Sequence, residues 1–168
     1  MKYDSQERKV SLIRKDLCAN GNNAGKKKPH GKILGEISSL FGEFIKSSGV
    51  KVVVRERAIS RFHQEVITLN KVCGVTEMLL WLVLEQPFQE ITPTEVKKYV
   101  TGYGRAEKED VALAIDNYCS HAQFKSDDES DACGVVIGWL VQNGYLDCHP
   151  LDKYKDRVKE PESNGEDE

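Results

Sequence analysis

A run of β-branched residues, Val50-Lys51-Val52-Val53-Val54, lies between two stretches with helical apolar spacing. A buried strand flanked in this way needs a sheet whose faces are covered by helices. On the N-terminal side, Ile33, Leu34, Ile37, Leu40, Phe41, Phe44 and Ile45 follow the helical period across 32–48. Gly49 then stands where a helix ends in the left-handed region. On the C-terminal side, Val66, Leu69, Val72 or Cys73, Thr76, Leu79, Leu80 and Val83 give a long helix. Its second half is apolar nearly all round, which predicts deep burial. A short strand is expected over 88–91, and Thr92-Pro93 opens a helix with proline in its first turn. Two more helices follow, one with Val111, Ala114, Ile115 and Tyr118 facing inward. The other, over 127–142, turns Ala132, Val135, Val136, Trp139 and Leu140 inward. With a short strand at 9–14 and no internal repeat, the fold class is α/β.

The 168 residues suffice for one domain over 1–150, with a flexible basic loop at 18–31 and a polar, acidic, disordered tail over 151–168. The longest apolar run, Met78 to Leu84, is far short of the roughly 20 residues that a spanning helix needs. No apolar segment near Met1 reads as a signal peptide. Five cysteines without a C-x-x-C pair suit a reduced compartment, so the expected location is cytoplasmic. A net charge of −3 first argues against a polyanion partner. Its distribution argues the other way: residues 1–63 hold 14 Lys/Arg against 6 Asp/Glu, and residues 64–168 hold 10 against 21. A basic face for an anionic partner is expected, with the acids kept for solubility or chemistry.

Three acids stand out. Glu56 alternates with Val52 and Val54 at the carboxyl end of the apolar strand, where open α/β sheets place ligands. It also reads as a solvent-facing glutamate among Arg55, Arg57 and Arg61. Asp128 and Asp131 are three apart, so in a helix they share one face, which continues inward to Val135. They read equally as first-turn acids suited to the helix dipole, beside a Ser126–Glu129 capping box. Together the three are all-oxygen ligands of the kind hard Mg2+ or Mn2+ prefers. Gly102-Tyr103-Gly104 lacks the Lys-Ser/Thr of a P-loop but offers backbone N–H groups and Lys108 to a DNA phosphate. Cys119, His121, Cys133, Cys148 and His149 have no zinc spacing, and no Ser/His/Asp or Cys/His signature is present.

The segments VVVRERAISRF at 52–62, PTEVKKYVTGYGRAEK at 93–108 and DESDA at 128–132 resemble RuvC-type Holliday junction resolvases. The phage and bacterial branch is the nearest, and the likeness runs over about residues 8–145 in order and spacing. The resemblance implies a ribonuclease H-like mixed sheet flanked by helices. It implies a homodimeric endonuclease that resolves four-way DNA junctions with Mg2+ (or Mn2+) held by carboxylates. Glu56, Asp128 and Asp131 match the family's catalytic acids, and Lys97, Lys98 and Lys108 its phosphate-contacting segment. Arg57, Arg61 and Arg105 join that DNA-binding set. Ile59 or Phe62 falls where the family puts an apolar residue near the junction centre. The family's central first strand, with its aspartate, has no counterpart among these residues. Tyr3-Asp4-Ser5-Gln6 instead reads as the hairpin turn after that strand, with 9–13 as the second strand. Asp4 is not expected to replace the missing ligand, and a chain that starts late within the fold is expected. Two alternatives stay open: a catalytically inactive module that binds branched DNA, and a ribonuclease H-like nuclease for another nucleic-acid substrate.

Overall fold

A computed structural model of the chain describes residues 1–6, 9–11, 29–57, 63–119, 123–124 and 126–157. In chain order the elements are β1 (Lys2–Asp4), β2 (Lys9–Ser11), α1 (His30–Ser48), β3 (Val54–Glu56), α2 (His63–Leu84) and β4 (Gln89–Ile91). They continue with α3 (Pro93–Thr101), α4 (Lys108–Ile115), α5 (Asp127–Gln142) and a 3-10 helix at Asp152–Arg157. The chain divides into two compact units, Met1–Lys15 with Ile91–Glu168, and Asp16–Glu90.

In the Asp16–Glu90 unit, α1 packs on α2. Pro29 stands at the N-cap, and its carbonyl accepts from Lys32 N at 3.0 Å and Ile33 N at 3.2 Å. The helix therefore starts inside the expected 18–31 loop, taking in His30 and Gly31; residues 18–28 lie outside the described residues. Gly49 closes it at φ 60°, a conformation glycine adopts without steric cost. Ile45 is buried, whereas Leu40 of the expected inner stripe is exposed. β3 is only three residues long and pairs with β4, with Gln89 N donating to Val53 O at 2.9 Å. The expected strand over 50–56 is thus shortened, and Val52 is exposed. Valine favours extended backbone, but only a neighbouring strand turns that preference into a ladder. A second correction concerns α2. Leu80 is fully buried, but Met78, Trp81 and Leu82 are 56%, 58% and 70% exposed, so the apolar second half is not deep.

In the other unit, β1 and β2 form an antiparallel hairpin with Tyr3 opposite Val10. Asp4 Oδ1 accepts from Gln6 N at 2.9 Å, which closes the turn where the sequence places one. Residues 12–14 of the expected strand lie outside the described residues. The hairpin is tied down by Tyr3, whose hydroxyl donates to Tyr145 O at 2.7 Å and whose ring meets the Tyr145 ring edge-on.

The core of this unit lies where α3, α4 and α5 meet. Thr92 caps α3 in a reciprocal box: its Oγ1 accepts from Glu95 N at 3.3 Å, and Glu95 Oε2 accepts from Thr92 N at 2.8 Å. Ile91, Val100, Ala114, Ile115 and Ile137 are fully buried, and Val111 is buried as expected for α4's inner face; Tyr118 is buried too, but in the turn after α4 ends at Ile115. The inner stripe of α5 differs from expectation. Ala132 is exposed, while Cys133, Gly134, Val135, Ile137, Gly138 and Leu140 are buried. Counting large apolar side chains overlooks the glycines, yet at Gly138 the neighbouring residues leave no room for a side chain. A Cβ on Gly138 would lie 3.2 Å from Val96 Cα and 3.2 Å from Ile91 Cδ1.

Residues 152–157, expected within a disordered tail, instead form the short helix and pack on the unit. Leu151 N donates to Thr101 O at 3.1 Å, and Tyr154 is buried. The Tyr154 hydroxyl donates to Asp110 at 2.5 Å, and Lys153 Nζ reaches the same carboxylate. Lys153, then Tyr154, hold the buried Asp110 carboxyl below the usual carboxylate range. A depressed folded pKa gives stability that is complete above the unfolded value of about 3.9. That stability is lost as pH falls through the lower folded value. Asp110→Asn is therefore expected to lower stability at pH 7 by roughly 1–2 kcal/mol. In urea titrations the gap from wild type should narrow as pH drops below about 4.

Candidate active site

The acids of α5 stand at its first turns because Ser126 starts the helix in extended backbone, with its Oγ accepting from Glu129 N at 3.4 Å. Asp127, Asp128 and Glu129 then fall where the helix dipole favours negative charge. Asp128 and Asp131 do not face the core as expected: both are exposed. Their helical face is covered at Val135, and at this end Asp131 borders a cleft. That cleft lies between α4 and the start of α5, lined by Lys108, Glu109, Asp116, Phe124, Asp127 and Asp131. Open to water, these carboxylates need no buried partner.

Lys108, the first residue of α4, supplies the positive charge. Its Nζ lies 3.1 Å from Asp131 Oδ2 and 3.4 Å from Asp127 Oδ2, and these acids, Asp131 foremost, raise the ammonium pKa. The structure thus brings Lys108 and Asp131 together as cleft residues. It adds Asp127, which the sequence did not single out, while Asp128 does not line the cleft. The only signal that could have found Asp127 is its i, i+4 spacing from Asp131.

Lys97 and Lys98 lie on α3 and Arg105 in the connection to α4, within the same unit as Lys108. Lys98 and Arg105 are exposed, with Lys98 Nζ 5.7 Å over the Tyr99 ring. The expected use of loop N–H groups for phosphate is corrected at two positions. Gly102 N donates to Lys98 O at 2.9 Å, and Tyr103 N to Thr101 Oγ1 at 3.1 Å. Both amides serve the end of α3, where Gly102 takes φ 86°.

Glu56 ends β3 and is exposed, in the other unit. The arginines beside it turn to Glu90, a residue the sequence did not single out. Arg55 Nε donates to Glu90 Oε1 at 2.8 Å, and Arg57 Nε to Oε2 at 3.3 Å. Arg55, then Arg57, draw the Glu90 pKa down, and the Arg55 guanidinium lies 4.6 Å over the Phe88 ring. Ile59, Arg61 and Phe62 lie outside the described residues. Cys119 and Cys133 are buried in the core, and burial pushes the Cys133 thiol up to about 12.

Among the described residues, no three His, Cys, Asp or Glu side chains gather as a metal cluster. The donor chemistry at the cleft nevertheless fits a hard cation, since carboxylate oxygens of Asp127 and Asp131 already converge on the Lys108 ammonium. Mg2+ commonly takes one or two carboxylates and fills its remaining positions with water and phosphate. No helix among the described residues is long and apolar enough to cross a membrane.

Comparison with known proteins agrees with the motifs. The crossover junction endodeoxyribonuclease RuvC of Chlorobium phaeovibrioides is 33% identical over 115 residues, 68% of this chain and 59% of the relative. The Syntrophomonas wolfei protein of the same name is 34% identical over 107 residues, 63% of this chain and 60% of its own length. This chain therefore spans about 60% of the length of these curated relatives. Thermus thermophilus RuvC in complex with a Holliday junction substrate superposes with a TM-score of 0.71, covering 81% of each chain at 17% identity. A second Thermus thermophilus RuvC structure gives a TM-score of 0.61 at 20% identity, covering 76% of this chain and 78% of that one. The ribonuclease H-like α/β fold of those structures is the fold of this chain. The model of the crossover junction endodeoxyribonuclease RuvC family matches residues 4–139, and the chain belongs to that family.

Proposed function

We propose that this chain acts as a metal-dependent endonuclease that resolves four-way DNA junctions by phosphodiester hydrolysis. The observation that carries the reading is the convergence of Lys108 with the α5 carboxylates on one cleft, in a chain matched to the RuvC family over residues 4–139. The family resemblance assigns Glu56, Asp128 and Asp131 as the acids that would hold Mg2+ or Mn2+. Such an ion supplies Lewis acidity toward the phosphodiester and activates water for attack. Lys108 brings its charge to a backbone phosphate, and Lys97, Lys98 and Arg105 extend the basic track. Arg57, Ile59, Arg61 and Phe62 serve the DNA near the branch point. The solved Thermus thermophilus relative holds a Holliday junction substrate, which supports branched DNA as the partner.

The test is incubation of the chain with a labelled four-way junction and a matched linear duplex, with Mg2+ and with EDTA. The reading expects paired nicks in the junction only, and only with the metal. Tight binding without cleavage at any Mg2+ or Mn2+ concentration would favour the inactive branched-DNA module. Cleavage of flaps or RNA–DNA hybrids in preference to junctions would favour a different nuclease.

A homodimer belongs to the same proposal, because a junction presents two equivalent strands. The exposed Met78, Trp81 and Leu82 on α2 support a second copy as the cover for that face. Trp81→Glu with Leu82→Glu is expected to shift the sedimentation profile from dimer to monomer; an unchanged profile would refute this surface. The absence of a C-x-x-C pair among the cysteines supports a cytoplasmic location.

A further inference from the structure

Lys108 lies at the N-terminal cap of α4. Glu107 stands at the N-cap of α4, and its backbone N donates to Asp110 Oδ2 at 3.3 Å. Lys108 stands between these two residues. Asp110 and Thr101 are the buried polar residues among those described. The Asp110 carboxylate is also gripped from the segment after α5, by the Tyr154 hydroxyl at 2.5 Å and by Lys153 Nζ. The same segment also touches the end of α3 and the loop before α4. Leu151 N donates to Thr101 O at 3.1 Å, and the Tyr154 ring lies 4.9 Å from the Tyr103 ring. The family's model matches up to residue 139, so Lys153 and Tyr154 lie beyond the matched span while Asp110 lies within it.

We infer that Lys153 and Tyr154 are positioning residues, which hold the cap around Lys108 so that its ammonium stays where a DNA phosphate reaches it. This rests on the junction-binding reading above. Burial decides how firmly these contacts hold. An isolated surface ion pair holds little in place, but a buried carboxylate that loses its donors must rearrange to find others. Asp110 cannot rearrange without releasing Glu107 N and with it the start of α4. Lysine is a flexible stem carrying a point charge, so fixing its backbone anchor lowers the ordering cost of each phosphate contact. Glu109 and Asp116 of the cleft would repel the same phosphate, so the direction in which Lys108 leaves the helix matters.

The test uses the full chain and a labelled four-way DNA junction without divalent metal, with affinity measured across a salt series. Tyr154→Phe changes no charge, yet it is expected to weaken binding by about threefold to tenfold. It should also reduce the slope of log affinity against log salt by about 0.9, the loss of one phosphate contact. In a Lys108→Met background the same change should have no further effect, because the two act through one contact. Hydrogen exchange of the amides over 102–110 should quicken in Tyr154→Phe. Lys153→Gln carries the same cycle should Tyr154→Phe fail to fold. Wild-type affinity and slope in Tyr154→Phe, or effects that add fully to those of Lys108→Met, would overturn the inference while leaving junction binding intact. Failure of the wild-type chain to bind the junction would instead overturn the function proposed above, and this inference with it.

Discussion

Asp131→Asn should cut Mg2+-dependent nicking of a four-way junction by about a hundredfold to a thousandfold, the usual scale for losing one fixed charge at the reacting centre. Junction affinity should survive, because the substitution removes a negative charge and frees Lys108, which Asp131 holds at 3.1 Å. A binding assay beside the cleavage assay therefore separates a lost ligand from a damaged fold. The neighbouring acids make the test sharper. Family resemblance assigns the second ligand to Asp128, whereas the cleft puts Asp127 with Asp131 around the one ammonium. Asp128→Asn is expected to match Asp131→Asn, and Asp127→Asn to retain most activity. The reverse ranking would mean that the working pair is spaced i, i+4 rather than i, i+3. Wild-type cleavage by all three variants would remove the nuclease assignment from this helix.

The largest effect on stability is expected at Gly138. Its missing side chain allows α5 to lie against α3, and a Cβ there would meet Val96 Cα, which is backbone and cannot rotate away. Gly138→Ala gains some helix propensity, but forcing the two helices apart costs more, with a net loss of about 1–3 kcal/mol. Gly138→Leu adds three further carbons against Ile91 and Val100 and is expected to leave no cooperative thermal transition above about 25 °C, given marginal domain stability. Gly134 is more forgiving: its nearest neighbour is the Val111 side chain at 3.4 Å, an ordinary contact distance. Gly134→Ala should change the melting temperature little. Equal tolerance at the two glycines would show that the α3–α5 spacing is not set at Gly138.

Legibility in the sequence followed what each signal physically encodes. Periodicity and caps are local, so α1, α3, α4 and α5 could be read closely, down to Gly49 and the Ser126 start of α5. The Val50–Val54 run encodes a backbone preference but not a partner strand, and only its last residue joins β3. The apolar circumference of α2 encodes hydrophobicity rather than burial, so the exposed Trp81 could not be told from the buried Leu80. Helical spacing put Asp128 and Asp131 on one face, but no spacing reveals that Asp131 borders a cleft and Asp128 does not. The bond from Lys108 to Asp131 joins two helices, and that between Tyr154 and Asp110 spans 44 residues. Neither leaves a local trace. Family motifs can name distant residues together, which spacing alone cannot do.

The face of α2 has a further consequence for how this protein responds to heat. Met78, Trp81 and Leu82 meet water in the single chain, so any second copy that covers them binds the folded form and not the unfolded one. Such binding stabilises by RT ln(1 + [L]/Kd), which is about 2.7 kcal/mol at a hundredfold excess over Kd. The melting temperature then becomes a function of protein concentration, and dilution alone would unfold chains that a concentrated sample keeps intact.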